Sequence, residues 1–291
     1  MKIVLCPNPF RDKGLKAAKS SETLLRAAGV HTECCFPFPV DKNNIGEIDP
    51  TIKIKEMKTE LPDADFLVCS GGDGTILHAA KDASSFGVPI VGVNMGSVGF
   101  MAELEQNELS QLTRLVSGEY TLENRMLLDV RVIRDGRVIF RSVALNDAVI
   151  TKGAVARVID LQVYGDKILI SNIFGDGVIL ATPTGSTAYS LSAGGPIVEP
   201  TAENIIMTPI SAHTLQSKAM VLDKNRLIDI TVPKQSRKTA YLSVDGGKAF
   251  KLISGDTVEV SRSRRCLCLV KLSGRSFYEM INHKLERRSR S

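Results

Sequence analysis

Apolar and polar positions follow different patterns in the two halves of the chain. Over the first hundred residues, short continuous apolar runs, typical of strands buried on both faces, alternate with longer stretches of helical periodicity. This alternation predicts an α/β domain with a parallel sheet covered by helices. The predicted strands are residues 3–6, 31–36, 66–69 and 89–93, and the predicted helices are residues 13–28, 52–60 and 76–81.

After about Tyr120 the pattern changes to short alternating runs separated by turn residues, as at Asp135-Gly136. This spacing predicts a β-rich, antiparallel, sandwich-like domain. We therefore expect an α/β domain over residues 1–119, a β-rich domain over 120–270, and a C-terminal segment, 271–291, that packs back on the first domain and ends in a basic tail. The predicted strands are residues 127–133, 138–143, 148–151, 158–164, 167–171, 177–181, 227–232, 240–244 and 257–262.

Composition narrows the class of protein. At 291 residues, with 43% hydrophobic and 24% charged residues, the chain fits a globular protein of two domains. No apolar stretch approaches the roughly 20 residues that span a bilayer, and the first residues do not resemble a signal peptide. The six cysteines lack the paired spacing of a zinc site, so we expect reduced thiols and a cytoplasmic location. The net charge of +5 collects in short basic clusters without interleaved aromatics, which disfavours nucleic acid as a partner.

The most informative stretch is the glycine-rich run that follows the apolar residues 66–69. Gly71, Gly72 and Gly74 surround Asp73 and precede Thr75, at a predicted strand-to-helix turn. Glycines there can take positive φ and let a phosphate approach backbone N–H groups at the start of a helix. A carboxylate beside bound phosphates indicates a chemical task, such as accepting a proton or meeting a metal. The alternative is an ordinary turn or helix cap.

Three further segments place polar or small residues where a core would not need them. Residues 92–100 follow the last parallel strand, so they lie at the sheet edge where such folds bind ligands. Asn146-Asp147 interrupts two β-like segments, which a simple turn would also explain. Asp176-Gly177 and the hydroxyl-rich residues 182–190 could bind a polar ligand, although helix capping accounts for part of that signal.

Taken in order, these segments resemble the bacterial branch of the NAD kinase family. The matching stretches are residues 71–75, 92–100, 146–147 and 176–196, with weaker marks at 125–128, His213 and 255–256. The resemblance implies ATP-dependent phosphorylation of the 2′-hydroxyl on the adenosine ribose of NAD, giving NADP. It implies a nucleotide-binding first domain, an NAD-binding second domain, and Mg²⁺ or another divalent metal that enters with ATP.

The resemblance also assigns roles to individual residues. Asp73 matches the family's general base, and the residues that match its phosphate-holding positions are Gly71, Gly72, Gly74 and Thr75. The residues that match its dinucleotide contacts are Asn146, Asp147, Asp176, Thr184, Thr187, Ala188 and Tyr189. Asn94, Phe100 and His213 complete the candidate binding residues. Two departures stand out, because Ala212 precedes His213 where the family usually has proline, and Gly247 ends a more usual D-G-Q.

Two alternatives remain open at this level. A lipid kinase of the diacylglycerol or sphingosine type would share the glycine-rich turn, but it would need an apolar channel for its acceptor. A non-catalytic NAD-binding regulator would need no base at Asp73. A nicotinamide dehydrogenase is disfavoured because Pro7-Asn8-Pro9 stands where its glycine motif would follow the first strand. Because β-rich domains expose edges that must be covered, we also expect a homo-oligomer.

Overall fold

A computed structural model of the chain describes residues 1–41, 44–96, 99–153, 158–212, 218–233 and 239–288, with side chains described as far as residue 282. The chain divides into two compact units, one of Met1–Asn124 with Leu267–Ser291 and the other of Arg125–Cys266. The sequence-based boundaries were placed after residues 119 and 270. In the described residues, no helix has the length and apolar character needed to cross a membrane.

The first unit is built on a parallel sheet, as the sequence predicted. Its strands are β1 (Lys2–Pro7), β2 (His31–Cys35), β3 (Ile54–Lys55), β4 (Phe66–Gly71), β5 (Ile90–Asn94) and β6 (Leu104–Glu105). Its helices are α1 (Lys16–Ala27), α2 (Met57–Glu60), α3 (Asp73–Phe86) and α4 (Arg114–Ser117), with 3-10 turns at Lys13–Leu15, Leu61–Asp63 and Gln106–Thr113. The central order β5-β4-β1-β2-β3 puts the ends of β1, β4 and β5 side by side. Apolar residues of these strands, such as Ile3, Val68 and Val91, form one buried core with α1.

Two predicted helices of this unit needed correction. The helical periodicity of residues 13–28 begins as a helix only at Lys16, because Gly14 and Leu15 both have positive φ. The predicted helix over 52–60 was wrong in its first half. Ile54–Lys55 pairs with β2, and only Met57–Glu60 is helical. Hydrogen bonding to a sheet edge decides the conformation here in place of local propensity.

The second unit is antiparallel, as predicted. Its strands are β7 (Thr121–Arg134), β8 (Arg137–Ala144), β9 (Asp147–Lys152), β10 (Ile159–Gly165), β11 (Ile168–Gly175), β12 (Gly177–Ala181), β13 (Asn204–Ile210), β14 (Met220–Asp223), β15 (Ile228–Thr231), β16 (Ala240–Val244), β17 (Phe250–Leu252) and β18 (Thr257–Lys271). A 3-10 turn, Thr184–Thr187, leads into the short helix α5 (Tyr189–Ser192). Asp135 and Gly136 join β7 to β8 with φ of 49° and 73°, which confirms the predicted hairpin turn.

The core of the second unit lies between two layers of strands. One layer has the order β14-β13-β12-β9-β16-β17, and β10, β11 and β15 belong to the other. Ile150 and Val178 from the first layer share one buried cluster with Val163 and Ile230 from the second. Such packing of two antiparallel layers is the sandwich-like arrangement that the alternating pattern predicted.

The end of the chain returns to the first unit and closes with the helix α6 (Phe277–Arg288). Buried Glu103 accepts a hydrogen bond from the backbone N–H of Leu272 at 2.8 Å, and Arg275 forms an ion pair with Glu108 at 2.6 Å. The Phe277 ring lies 6.4 Å from the Phe100 ring, centroid to centroid. The C-terminal segment therefore packs beside the stretch that follows β5.

Candidate functional site

The glycine-rich turn joins the end of β4 to the start of α3. A Cβ at Gly71 would lie 2.1 Å from the Thr75 hydroxyl oxygen, so glycine is needed there for close packing within the chain. At Gly72 and Gly74 a Cβ would meet no atom within 4 Å. None of these glycines has positive φ, so that part of the expectation was wrong, whereas the approach of a phosphate to the backbone stays a prediction. Close packing against Thr75 explains the glycine at position 71. The open space at Gly72 and Gly74 suits a ligand that approaches the backbone.

Asp73 is the first residue of α3, and its carboxylate is held by backbone N–H groups from the segment after β5. The N–H of Phe100 donates to Oδ2 at 2.8 Å, and the N–H of Met101 donates to Oδ1 at 3.0 Å. A Cβ at Gly99 would lie 2.0 Å from Oδ1, so glycine at that position leaves room for the carboxylate. The side chain is half-buried and directionally fixed, and each oxygen keeps a lone pair for another partner.

A cavity of about 400 Å³ lies in front of this turn. Sequence reasoning had placed Asp73 and the three glycines in a binding site, and all four line this cavity. Thr75, also expected in the site, lines the cavity too, whereas Asn8, Arg11, Phe38 and His78 had been missed. The lining residues are Asn8, Arg11, Phe38, Gly71, Gly72, Asp73, Gly74, Thr75, His78, Gly96 and Gly99. Asn8 stands in the Pro7-Asn8-Pro9 stretch, whose signal was noticed only as a missing glycine motif.

Thr75 is buried, with 2% of its surface exposed, and its hydroxyl oxygen is engaged inside the chain. It accepts a hydrogen bond from the Asn8 side-chain amide at 3.2 Å and a longer one from the Gly72 N–H at 3.4 Å. Thr75 therefore ties the end of β1 to the start of α3. Its predicted role in holding phosphate stays a prediction, and the geometry gives it a positioning role as well.

Asn94 and Phe100 belong to the stretch after β5 but differ in what they present. The Asn94 amide donates to Glu105 at 3.0 Å and to the Gly96 carbonyl at 3.2 Å, and its carbonyl accepts from the Gly96 N–H. With 2% of its surface exposed, Asn94 shapes this loop from within. Phe100 contributes the backbone N–H that orients Asp73.

In the second unit, Asn146 and Asp147 form a tight turn around the carboxylate of Asp245. Asp245 accepts backbone N–H bonds from Leu145 at 2.8 Å, Asn146 at 2.8 Å and Asp147 at 3.0 Å. The Asn146 side-chain oxygen is buried and has no hydrogen-bond partner among the described residues. Sequence reasoning missed Asp245 as a partner because about a hundred residues separate it from the pair.

The pKa values of both carboxyl groups at this turn are raised. Burial, reinforced by the charge of Asp245, raises the pKa of Asp147 to about 7. Burial also raises the pKa of Asp245, although its three N–H donors oppose that effect. Asp147 is 5% exposed, so its carboxyl group is largely shielded from solvent. Asp147 and Asp245 therefore form an acidic pair at the Asn146 turn.

The hydroxyl-rich segment packs directly on the Asn146 turn. The Thr182 N–H donates to the Asn146 carbonyl at 2.8 Å, and a Cβ at Gly185 would lie 2.0 Å from that same oxygen. Several hydroxyls are used internally, since Arg125 donates to the Thr184 hydroxyl at 3.3 Å and Ser190 pairs with Thr208 at 2.8 Å. The exposed part of the segment carries Thr187, Ala188 and Tyr189, of which Tyr189 is 44% exposed.

Asp176 lies at the other end of the same strand pair. In the register of β9 and β12, Ala181 faces Asp147 whereas Gly177 faces Thr151, so about 13 Å of strand separate the two ends. Asp176 forms an ion pair with Lys152 at 2.6 Å. The structure thus groups Asn146, Asp147 and the 182–189 segment, and sets Asp176 apart from them. His213 lies outside the described residues.

No cluster of three or more His, Cys, Asp or Glu side chains is arranged to hold a metal ion among the residues that the structure describes. The cysteines are free thiols, and the four at positions 6, 34, 35 and 69 are buried. Burial raises the pKa of Cys35 to about 12, so this thiol stays protonated at neutral pH.

Two domain families match the chain. The family described as ATP-NAD kinase N-terminal domain matches residues 17–120, and the family described as ATP-NAD kinase C-terminal domain matches residues 145–272. The NAD kinase of Acetivibrio thermocellus is 35% identical over 100% of this chain and 99% of its own length. The NAD kinase of Symbiobacterium thermophilum is 42% identical over 77% of this chain and 79% of its own length.

Solved structures with the same fold point to the same family. A yeast NADH kinase complexed with NADH superposes with a TM-score of 0.83 and 26% identity, covering 98% of this chain and 87% of that one. An NAD kinase from Archaeoglobus fulgidus in complex with ATP superposes with a TM-score of 0.69 and 25% identity, covering 94% of both chains.

Proposed function

The chain belongs to the NAD kinase family, and we propose that Asp73 is the general base of its reaction. The enzyme uses ATP to phosphorylate the 2′-hydroxyl on the adenosine ribose of NAD, giving NADP. This activity replaces the lipid kinase and the non-catalytic regulator that the sequence had left open.

The base must take one proton while a phosphoryl group is transferred. The ribose oxygen forms a bond to the γ-phosphorus of ATP, the bond from that phosphorus to the β–γ bridging oxygen breaks, and ADP leaves with the electron pair. The hydroxyl proton goes to a carboxylate oxygen of Asp73. Two backbone donors fix that carboxylate at 2.8 and 3.0 Å, and it lines the cavity beside the glycine turn. That fixed, accessible carboxylate is the observation that carries the proposal.

Gly71, Gly72 and Gly74 are proposed to receive the phosphates of the donor. Open space beyond Gly72 and Gly74 lets phosphate oxygens reach the first N–H groups of α3, where the helix dipole favours negative charge. Thr75 supports the turn through Asn8. Mg²⁺ is proposed to arrive bound to the donor. It prefers phosphate oxygens and water to a cage of protein ligands, and it would neutralise part of the charge on the triphosphate.

The second unit is proposed to bind the dinucleotide. The buried oxygen of Asn146 has no partner among the described residues, so it can accept a hydrogen bond from a ligand N–H or O–H group. Asp147 lies below it, and Thr187, Ala188 and Tyr189 offer an exposed hydroxyl-bearing surface next to the same turn. Thr184 holds Arg125 beside this surface. Asp176 and His213 remain proposed NAD contacts by their match to the family.

Substitution Asp73→Asn tests the base. It keeps size and hydrogen-bonding shape but removes proton affinity, so turnover should fall by about 10³-fold while the Kd for NAD changes little. NADP formation is followed with a coupled dehydrogenase, and NAD binding by calorimetry. Asp82→Asn, on the same helix but outside the cavity lining, is the matched control. Turnover within a few-fold of wild type in Asp73→Asn would exclude this aspartate as the base.

Two broader proposals concern the setting of the enzyme. A cytoplasmic location is supported by the free thiols, of which four are buried.

A homo-oligomer is supported by the edge strand β11, where Ile168, Leu169 and Phe174 are exposed. Light scattering at micromolar concentration should give a mass that is a multiple of 31.6 kDa, and a mass of one chain would refute the oligomer.

A further inference from the structure

A triphosphate bound in the cavity in front of the glycine turn would lie close to a carboxylate, so the site must offset repulsion between negative charges. Asp73 already contributes a carboxylate, and a bound triphosphate adds several more charges within a few ångströms. At such distances like charges repel by several kcal/mol even at an effective dielectric constant of about 20. Backbone N–H groups supply only partial charges, so a side-chain cation is needed in addition to a metal ion that comes with the donor.

Arg11 is placed to supply that cation. Among the described residues that line the cavity, it is the one side chain with a permanent positive charge. Its guanidinium Nη1 lies 3.9 Å from the point where a Cβ on Gly96 would stand, and Gly96 lines the same cavity. The Arg11 side chain is exposed, and it forms no hydrogen bond or ion pair within the part of the chain that the structure describes.

The backbone around Arg11 is fixed on both sides, so the position of the cation is built into the fold. Asn8 continues the sheet by donating its N–H to the Ser70 carbonyl at 2.8 Å, and its own carbonyl accepts the N–H groups of Arg11 at 3.0 Å and Asp12 at 2.8 Å. On the other side, the Asp12 carboxylate is buried and accepts the N–H groups of Ala17 and Ala18, both at 2.9 Å. Asp12 is therefore committed to the start of α1 and leaves the neighbouring guanidinium unpaired.

Asn8 also connects this turn to the proposed catalytic helix. Its side-chain amide donates to Thr75 at 3.2 Å, and its side-chain oxygen accepts the N–H of Phe10 at 3.0 Å. One asparagine thus fixes the distance between the loop that carries Arg11 and the turn that carries Asp73. A guanidinium suits the task because it stays charged at all working pH values and binds two phosphate oxygens at once.

We propose that Arg11 is a catalytic residue that binds the terminal phosphates of the donor and neutralises charge on the phosphoryl group during transfer. The proposal rests on the assignment of the cavity to ATP made above. Because Arg11 lines the cavity assigned to ATP, the proposal gives it a role in binding the donor, ATP, and none in binding the acceptor, NAD. Loss of Arg11 should therefore change the kinetic constants for ATP far more than those for NAD.

The test compares Arg11→Ala, Arg11→Gln and Arg11→Lys with wild type. For the first two we expect kcat/KM for ATP to fall by about 100-fold and KM for NAD to change by less than about three-fold, as for loss of one charged phosphate contact. Arg11→Lys should recover part of the activity, because it restores the positive charge but cannot bind two phosphate oxygens at once as a guanidinium does. Inorganic tripolyphosphate, measured as a competitive inhibitor against ATP, should bind Arg11→Ala correspondingly more weakly. Lys13→Ala, an exposed cation two residues away and outside the lining, should leave every constant unchanged.

The outcomes separate this proposal from the assignment of the activity. If wild type forms NADP and Asp73→Asn does not, but Arg11→Ala keeps its kcat/KM for ATP, the role of Arg11 is refuted and the general base stands. If KM for ATP and NAD rise together, or the melting temperature falls, Arg11 is a structural residue and the proposal is wrong. If wild type forms no NADP from ATP and NAD, the proposed site itself fails.

Discussion

Two aspartates, Asp73 in the first unit and Asp245 in the second, accept backbone N–H groups but serve different ends. Asp73 accepts two such bonds, is half-buried and faces a cavity. Asp245 accepts three, and burial raises its pKa. The first carboxylate keeps an acceptor position free on each oxygen and lines a cavity, whereas the turn around the second fills both acceptor positions of its Oδ1. Similar hydrogen bonds therefore fit a catalytic role or a positioning role, depending on how many acceptor positions remain free for a ligand.

Of the tests of this comparison, the largest effect should come from displacing the Asp73 carboxylate without replacing Asp73 itself. Gly99→Ala puts a Cβ 2.0 Å from Oδ1, so either the carboxylate or the 99–101 segment must move. We expect turnover to fall by about 100-fold, equivalent to about 2.7 kcal/mol in the barrier. The measurement is kcat with a crystal structure of the variant. Gly46→Ala, where a Cβ meets nothing within 4 Å and φ is not positive, is the control. Normal turnover in Gly99→Ala would mean that the fixed orientation is unimportant.

A smaller effect, on stability, is expected from Asp245→Asn. The amide nitrogen would face one of the three backbone N–H groups that now point at the carboxylate, and an unsatisfied buried donor costs about 1–3 kcal/mol. Urea unfolding should show a free energy of unfolding lower by about 2 kcal/mol. Asp135→Asn is a close control, because Asp135 and Asp245 have φ of 49° and 50° and each precedes a glycine with positive φ, but Asp135 is exposed. Equal stabilities of the two variants would show that the Asp245 bonds contribute little.

The smallest effect concerns pH. The pKa of Asp147 is about 7 in the folded protein and near its ordinary value of 3.8 in the unfolded chain, so between these values only the folded protein holds the proton. The free energy of unfolding should therefore fall as pH rises from about 4 to 7, the interval between the two pKa values. Asp147→Asn should flatten this part of the curve.

Urea unfolding at pH 5 and pH 7.5 measures that slope. Asp129→Asn, a half-buried acid on β7, serves as the comparison and should leave the slope as in wild type. A slope that persists in Asp147→Asn would show that Asp147 ionises at its ordinary pKa and that the acidic pair does not couple folding to pH.

Much of the fold could be predicted from the sequence, and the exceptions share a cause. The buried strands β1, β4 and β5 have continuous apolar runs, and the hairpin at Asp135-Gly136 has a local signature. The false helix at 54–55 arose because pairing with β2 depends on residues that lie twenty positions earlier in the chain. Local periodicity cannot register such a partner.

The candidate site divides in the same way. Asp73 and its glycines were found because strand, turn and helix are contiguous in sequence. The roles of Asn8, Gly99 and Asp245 were not assigned, because each acts on a residue that is distant along the chain. Arg11 was missed because it shares a cavity with residues about sixty positions later in the chain. For Thr75, whose contact with phosphate stays a prediction, folding adds a bond that the sequence could not show, because its buried hydroxyl accepts a hydrogen bond from Asn8.

The sequence by itself determined the class of the two units, the family and the stretches that carry the chemistry. Periodicity and glycine spacing are local properties of the chain, so they can be recognised without knowing which distant residues come into contact. Tertiary structure alone decided which carboxylate is free to act and which is committed, because accessibility and hydrogen-bond partners depend on residues that folding brings together. The fixed carboxylate of Asp73 and the unpaired guanidinium of Arg11 therefore became visible only once β1, β4 and β5 were placed side by side.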